Sequence, residues 1–264
     1  MTFKQTYKTL LAFVAFSFSI NATANIIDFE TFKIRNNNGT TTSPYDADLE
    51  ITENAAGDGF HAITPRGGQK VGYGTNALDG MQLNQFNTVD WTTDDNATGA
   101  HPYLNMWVTD GSNYAVIASE NAYMGTDFQT RQEWKIFEFG PSGSFDWLLN
   151  SGTGSRTGAE YLQKDGINVS LSDFSNDIKL YSGPVGVTTG VGTGAPRGGF
   201  GFNVIFGDTA ANFTQGAGYF IENLTVSVGQ TDYQAGNLAT VSEPSTLAIL
   251  ALSMLGLTAR RFTK

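Results

Sequence analysis

The sequence predicts an all-β protein: an antiparallel β-sandwich of the jelly-roll type, flanked by an N-terminal signal helix and a C-terminal transmembrane helix. Three observations carry that expectation. The whole chain holds 31 Gly, 19 Phe and 10 Tyr, and between its ends it is punctuated by glycine and rich in Asn, Asp, Ser and Thr. That is the composition of short strands joined by turns. Apolar residues recur with period two in several runs, and no helical stripe of ten residues separates them. Many closely spaced strands without intervening helices favour an antiparallel sandwich over a parallel α/β sheet.

The ends come first. Lys4 and Lys8 precede an apolar run over residues 10–20, followed by Ala22-Thr23-Ala24. A charged start, a short apolar stretch and a small-x-small site form a secretory signal, with cleavage expected after Ala24. The apolar run is too short to span a bilayer, which needs about 20 residues. At the other end Ser242-Glu243-Pro244-Ser245-Thr246 leads into residues 247–259, which carry no charge, and then Arg260, Arg261 and Lys264. A short apolar helix with a basic stop can span where flanking side chains snorkel, and its basic end is expected in the cytoplasm. Three segments follow: 1–24 signal peptide, 25–241 ectodomain, 242–264 apolar tail with a basic stop.

Within the ectodomain, Phe200, Phe202, Val204 and Phe206 alternate with Gly201, Asn203, Ile205 and Gly207, and Ile167, Val169 and Leu171 alternate with Asn168, Ser170 and Ser172. Leu104, Met106 and Val108 form one face of another strand, with Tyr103, Asn105, Trp107 and Thr109 on its other face. Over residues 219–228 the apolar phase shifts from Tyr219 and Ile221 to Leu224, Val226 and Val228, which predicts a β-bulge at Glu222-Asn223. Further strands are expected at 26–32, 49–52, 86–91, 114–118, 134–139 and 145–149. Residues 36–42 and 183–199 are too polar or glycine-rich for core elements and read as mobile connections.

Residues 25–241 hold ten basic and 24 acidic side chains, a net charge of −14. Such a surface repels phosphate backbones, which excludes nucleic acid as a partner. The chain has no cysteine, so disulfides, thiol catalysis and cysteine-ligated metals are excluded, although exported proteins meet oxidising conditions. Only His61 and His101 are present, without a Gly-x-Ser-x-Gly elbow or a His-Glu-x-x-His motif, so neither a serine triad nor zinc catalysis has support. Gly190-Val191-Gly192-Thr193-Gly194 lacks the spacing of a phosphate loop. Paired carboxylates for glycoside cleavage meet in space rather than in sequence, and Glu120, Glu133 and Glu138, which lie near aromatics, are candidates. Asp28 and Glu30 on the first strand and Glu222 near the last are candidate ligands for a structural Ca²⁺, provided that the terminal strands lie side by side. No other cofactor is expected.

The C-terminal arrangement Glu243-Pro244-Ser245-Thr246-Leu247-Ala248, Gly256-Leu257 and Arg260-Arg261 resembles the PEP-CTERM sorting signal, in which Pro-Glu-Pro precedes an apolar helix and an arginine cluster. Ser242 stands where the family has its first proline. The resemblance implies processing by signal peptidase and by a membrane-embedded exosortase, with delivery to the cell surface or extracellular matrix. Residues 102–111 and 219–226 are similar to strands of jelly-roll ectodomains related to carbohydrate-binding modules. There the last strand commonly reads Ile-Asp-Asn-Val, where this chain has Ile221-Glu222-Asn223-Leu224. No ligand follows from a fold alone.

The expected function is that of an exported, non-catalytic surface or matrix protein, no enzyme. The alternatives are a carbohydrate-binding module in contact with extracellular polysaccharide and a glycan-active enzyme. Tyr103 and Trp107, about 13 Å apart with Asn105 between them, form the candidate sugar platform. That platform requires the ring of Trp107 to be exposed.

Overall fold

The computed structural model describes residues 25–41, 43–93, 102–119, 126–127, 131, 133–139, 144–156, 161–182, 200–207 and 218–237. Their strands, in chain order, are β1 (Asn25–Ile27), β2 (Glu30–Arg35), β3 (Glu50–Glu53), β4 (Phe60–Ile63), β5 (Lys70–Thr75), β6 (Phe86–Thr92), β7 (Tyr103–Thr109), β8 (Tyr114–Ser119), β9 (Thr126–Asp127), β10 (Trp134–Phe139), β11 (Gly154–Arg156), β12 (Leu162–Lys164), β13 (Ile167–Asn168), β14 (Lys179–Leu180), β15 (Phe202–Gly207), β16 (Tyr219–Val228) and β17 (Thr231–Ala235).

Two large sheets result. The first runs β1-β17-β16-β4-β3, with β6 also on β16 and β9 on β6; the second runs β10-β8-β7-β15-β5-β2, with β14 on β7. A small sheet of β11-β12-β13 is joined to β10 by the isolated bridge Lys135–Tyr161 and adds Leu162 to the core. Aromatic pairs lock the two large sheets together: Phe206 stacks on Tyr219 at 4.6 Å, Phe60 meets Tyr73 at 5.6 Å, and Phe86 lies over Phe202 at 6.1 Å. One continuous core therefore lies between them, which is the packing of a β-sandwich. The all-β expectation holds for the described residues.

The first predicted strand is two. β1 pairs with β17, whereas β2 pairs with β5, so the chain crosses from one sheet to the other at Asp28-Phe29. Phe29 seals the crossing by stacking on Tyr73 at 4.9 Å, and the Thr75 hydroxyl donates to the Asp28 carbonyl at 2.7 Å. β1 and β17 run parallel, an exception to the otherwise antiparallel ladders.

The bulge is where the phase shift puts it. Glu222 pairs with Thr92 and Thr225 with Asp90, so one extra residue is accommodated on β16. Asn223 takes it up at φ 55°, a conformation that Asn tolerates better than most residues.

Two expected strands differ. Residues 145–149 form a 3₁₀ turn, Asp146–Leu148, because the Asp146 carboxylate takes the Gly154 N–H at 2.6 Å and Leu148 N–H bonds Phe145 O at 3.1 Å. In the run 167–172 the strand stops at Asn168, and a second 3₁₀ turn, Leu171–Asp173, follows where the Asp173 carboxylate accepts the Ser170 N–H at 3.0 Å. Ile167 is consequently exposed, next to the positive-φ turn Asp165-Gly166.

The loop after β2 is tied down rather than loose. Asn36 is buried, donates to Pro44 O at 3.1 Å and accepts the Asp46 N–H at 2.6 Å. Residue 42 and residues 183–199 lie outside the described residues.

Candidate functional site

The face of β7 that carries Leu104, Met106 and Val108 fills the core as expected. Its opposite face is closed as well. Trp107 is 2 % exposed, Asn105 is fully buried and Tyr103 is half-buried. Across the strands, Trp107 stands opposite Val116, Asn105 lies between Ala118 and Asn203, and Tyr103 stands opposite Ile205. The Asn203 amide donates to Asn105 O at 3.1 Å and to Phe200 O at 2.8 Å. The ammonium of buried Lys70 lies 5.5 Å from the centre of the Tyr103 ring, a cation–π contact. A stacking platform needs an exposed ring face. The proposal that Tyr103, Asn105 and Trp107 form an open sugar site is therefore corrected: this face is interior, because β7 lies between β8 and β15 in a sheet buried on both sides.

The three candidate calcium ligands do not converge. The terminal strands do pair, but only over Asn25–Ile27; Asp28 lies beyond β1 and Glu30 opens β2 in the other sheet, while Glu222 sits on β16 opposite Thr92. Asp28 and Glu30 line a cleft of about 330 Å³ with Asn76 and Phe200, and Glu222 lines a different one. Among the described residues, no three His, Cys, Asp or Glu side chains come together as a metal site.

The second cleft, about 430 Å³, lies at the bulge and is lined by Thr92, Thr93, Phe220 and Glu222. The Phe220 ring stacks on His61, 4.1 Å between centres and 16° between planes. Both are half-buried on the face of the first sheet opposite the core, since Phe60, Ala62, Tyr219 and Ile221 beside them are core. The only sequence signal for this pair is that each occupies a polar-face position of its strand. His101 and Glu120 lie outside the described residues, as does the side chain of Glu138.

The carboxylates with shifted affinities serve turns. Burial alone would raise Asp173, but hydrogen bonds from the Ser170 N–H, the Ser170 hydroxyl and Lys164 outweigh it and hold the acid below its ordinary value. Asp110 is lowered likewise: burial opposes, and the Asn113 and Ser112 N–H groups, each at 2.7 Å, prevail. The Asn37 N–H lowers Asp46, and Arg66 at 2.6 Å lowers Asp48. Burial pushes the Tyr73 phenol far up, reinforced by Glu53; its hydroxyl donates to Gly57 O at 2.6 Å. These groups fasten loops and none lines either cleft.

The signal residues Ala22 and Ala24, the motif Glu243, Pro244, Ser245 and Thr246, and Arg260 and Arg261 lie outside the described residues, as does the apolar run 247–259. Among the described residues no helix is long and apolar enough to cross a membrane. Residues 240–261 match the family model of the PEP-CTERM protein-sorting motif. No curated protein and no solved structure matches the chain. The motif marks this as an exported protein sorted by an exosortase to the cell envelope or surface.

Proposed function

We propose that the ectodomain, on a jelly-roll sandwich, is a non-catalytic component of the cell surface or extracellular polysaccharide matrix. The observation that carries the reading is the sorting motif over residues 240–261. Signal peptidase removes residues 1–24, the apolar tail holds the protein in the membrane, and exosortase then processes the tail at Glu243-Pro244. Two features support a non-catalytic role. The carboxylates whose proton affinity is displaced are hydrogen-bonded in turns, whereas catalytic acids are displaced inside clefts. The histidine that is described, His61, is stacked on Phe220 and has no serine partner among the described residues.

Fractionation of cells that express the full chain, tagged within residues 25–241, tests the reading. Processed protein in the surface or matrix fraction is expected, and replacing Glu243-Pro244 by alanines should leave it unprocessed in the membrane. Full-length protein in the cytoplasm, or processing unaffected by the alanines, would refute it. Release of new reducing ends from matrix polysaccharide by the purified protein would refute the non-catalytic part.

A further inference from the structure

The cleft at the bulge has one aromatic wall and one carboxylate. Phe220 presents a single ring face to it, because His61 covers the other. The imidazole fits there only because residue 218 is glycine: at φ 59° a Cβ would collide with the ring. Two residues along β16, on the same face, stands Glu222, whose exposed carboxylate has no hydrogen bond or ion pair to any described residue. Gly59 packs against the Ile221–Glu222 backbone, where an added Cβ would strike Ile221 O.

The hydroxyls that line the cleft have spent their protons. Thr92 Oγ1 donates to Glu222 O at 3.2 Å and accepts from the Asn223 amide at 2.9 Å; Thr93 Oγ1 donates to Phe220 O at 2.8 Å. What the described lining offers a ligand is an aromatic face and a carboxylate acceptor. A ligand that suits it has one flat apolar face, several donors and a positive charge. An acidic ligand would face Glu222 unpaired in a domain of net charge −14. The volume, about 430 Å³, falls within the range of small-molecule sites, roughly 300–1,000 Å³.

We infer that this cleft binds an amino sugar, with the apolar face of the pyranose on Phe220 and its protonated amine on Glu222. The inference rests on the surface reading only for where such a sugar is met, since matrix polysaccharides are its source. Full-length protein purified in detergent is titrated calorimetrically with a glucosamine trisaccharide, with its N-acetylated counterpart and with ethylamine. The amine form should bind at least ten-fold more tightly than the acetylated form, a difference of about 1.4 kcal/mol. Glu222→Gln should abolish that preference at unchanged melting temperature, and Phe220→Leu should weaken both sugars. If Phe220→Leu fails to fold, the exposed Glu222→Gln variant decides alone. No binding of either sugar, equal binding of the two, a preference that survives Glu222→Gln, or ethylamine binding as tightly as the sugar would each overturn the inference. Because the titration is done on purified protein, its failure leaves the sorting experiment untouched, and a cytoplasmic protein that still binds would refute the surface reading alone.

Discussion

The two large sheets differ in how many faces they bury. In the first, β16 and β4 alternate between buried and accessible positions, and the polar face is wet. In the second, β5, β7, β8 and β15 are buried at nearly every position, so both faces are interior. Period-two geometry assigns residues to faces in both cases. It tells inside from outside only where one face meets water.

Trp107 is the sharpest test of that difference. Its ring belongs to the second face of β7 and is 2 % exposed, so Trp107→Ala should cost about 3 to 5 kcal/mol, read as a lower midpoint in urea. A loss below about 1 kcal/mol would mean that this face is open after all. Next in size is Gly72→Ala. Gly72 lies opposite Phe32 and Ile205, and an added Cβ would run into the Phe32 ring, with Ile205 Cδ1 at 3.1 Å. Overpacking of this kind costs about 1 to 3 kcal/mol, again in the urea midpoint.

These residues also show what could be read from sequence. β10 has the bounds expected for the strand 134–139, and in β16 the alternation of apolar and polar residues fixes the faces and its phase shift alone places the bulge at Asn223. β5 was missed. In Lys70-Val-Gly-Tyr-Gly-Thr75 Gly72 and Gly74, on the face away from Val71 and Tyr73, make room for Phe32 and Phe200, and glycine reads as a turn. Residues 145–149 show the converse: Phe145, Trp147 and Leu149 alternate, but Asp146 bonds Gly154 and forces a 3₁₀ turn. The site was least legible. Asn105 and Trp107 looked like a platform because polarity was taken for exposure, whereas His61 and Phe220 meet only through the β4–β16 ladder, for which no local pattern exists.

Acid should act on both sheets together, since the carboxylates that gain from folding sit in turns. Asp173, Asp110, Asp46 and Asp48 all have lowered proton affinity in the folded chain. Their contribution is complete above the unfolded value, about 3.9, and is lost as pH falls through the lower folded values. The melting temperature is therefore expected to stay level from pH 7 to about 5 and to drop below about pH 4. Each group contributes less than either steric change above, because water screens partly exposed pairs. Asp173→Asn should flatten part of the drop. A melting temperature that rises below pH 4 would show that the sign is wrong.

The smallest effect belongs to the wet sheet and inverts the glycine argument. Gly72 is needed for space: the backbone there is ordinary, but a side chain has nowhere to go. Asn223 is needed for conformation: its φ of 55° is unusual for a residue with a Cβ, while its side chain is exposed and, among the described residues, bonds only Thr92 Oγ1 at 2.9 Å. Asn223→Gly relieves the left-handed strain but gives up that exposed hydrogen bond and adds freedom to the unfolded chain. The three terms are small and opposed, so the urea midpoint should shift by less than about 0.5 kcal/mol in equivalent stability. Asn223→Val keeps the strain and loses the bond, and should be clearly worse than the glycine. If instead Asn223→Gly costs as much as Gly72→Ala, the bulge is held by the amide rather than by the backbone, and the contrast between a sheet packed for space and a sheet shaped by its backbone fails.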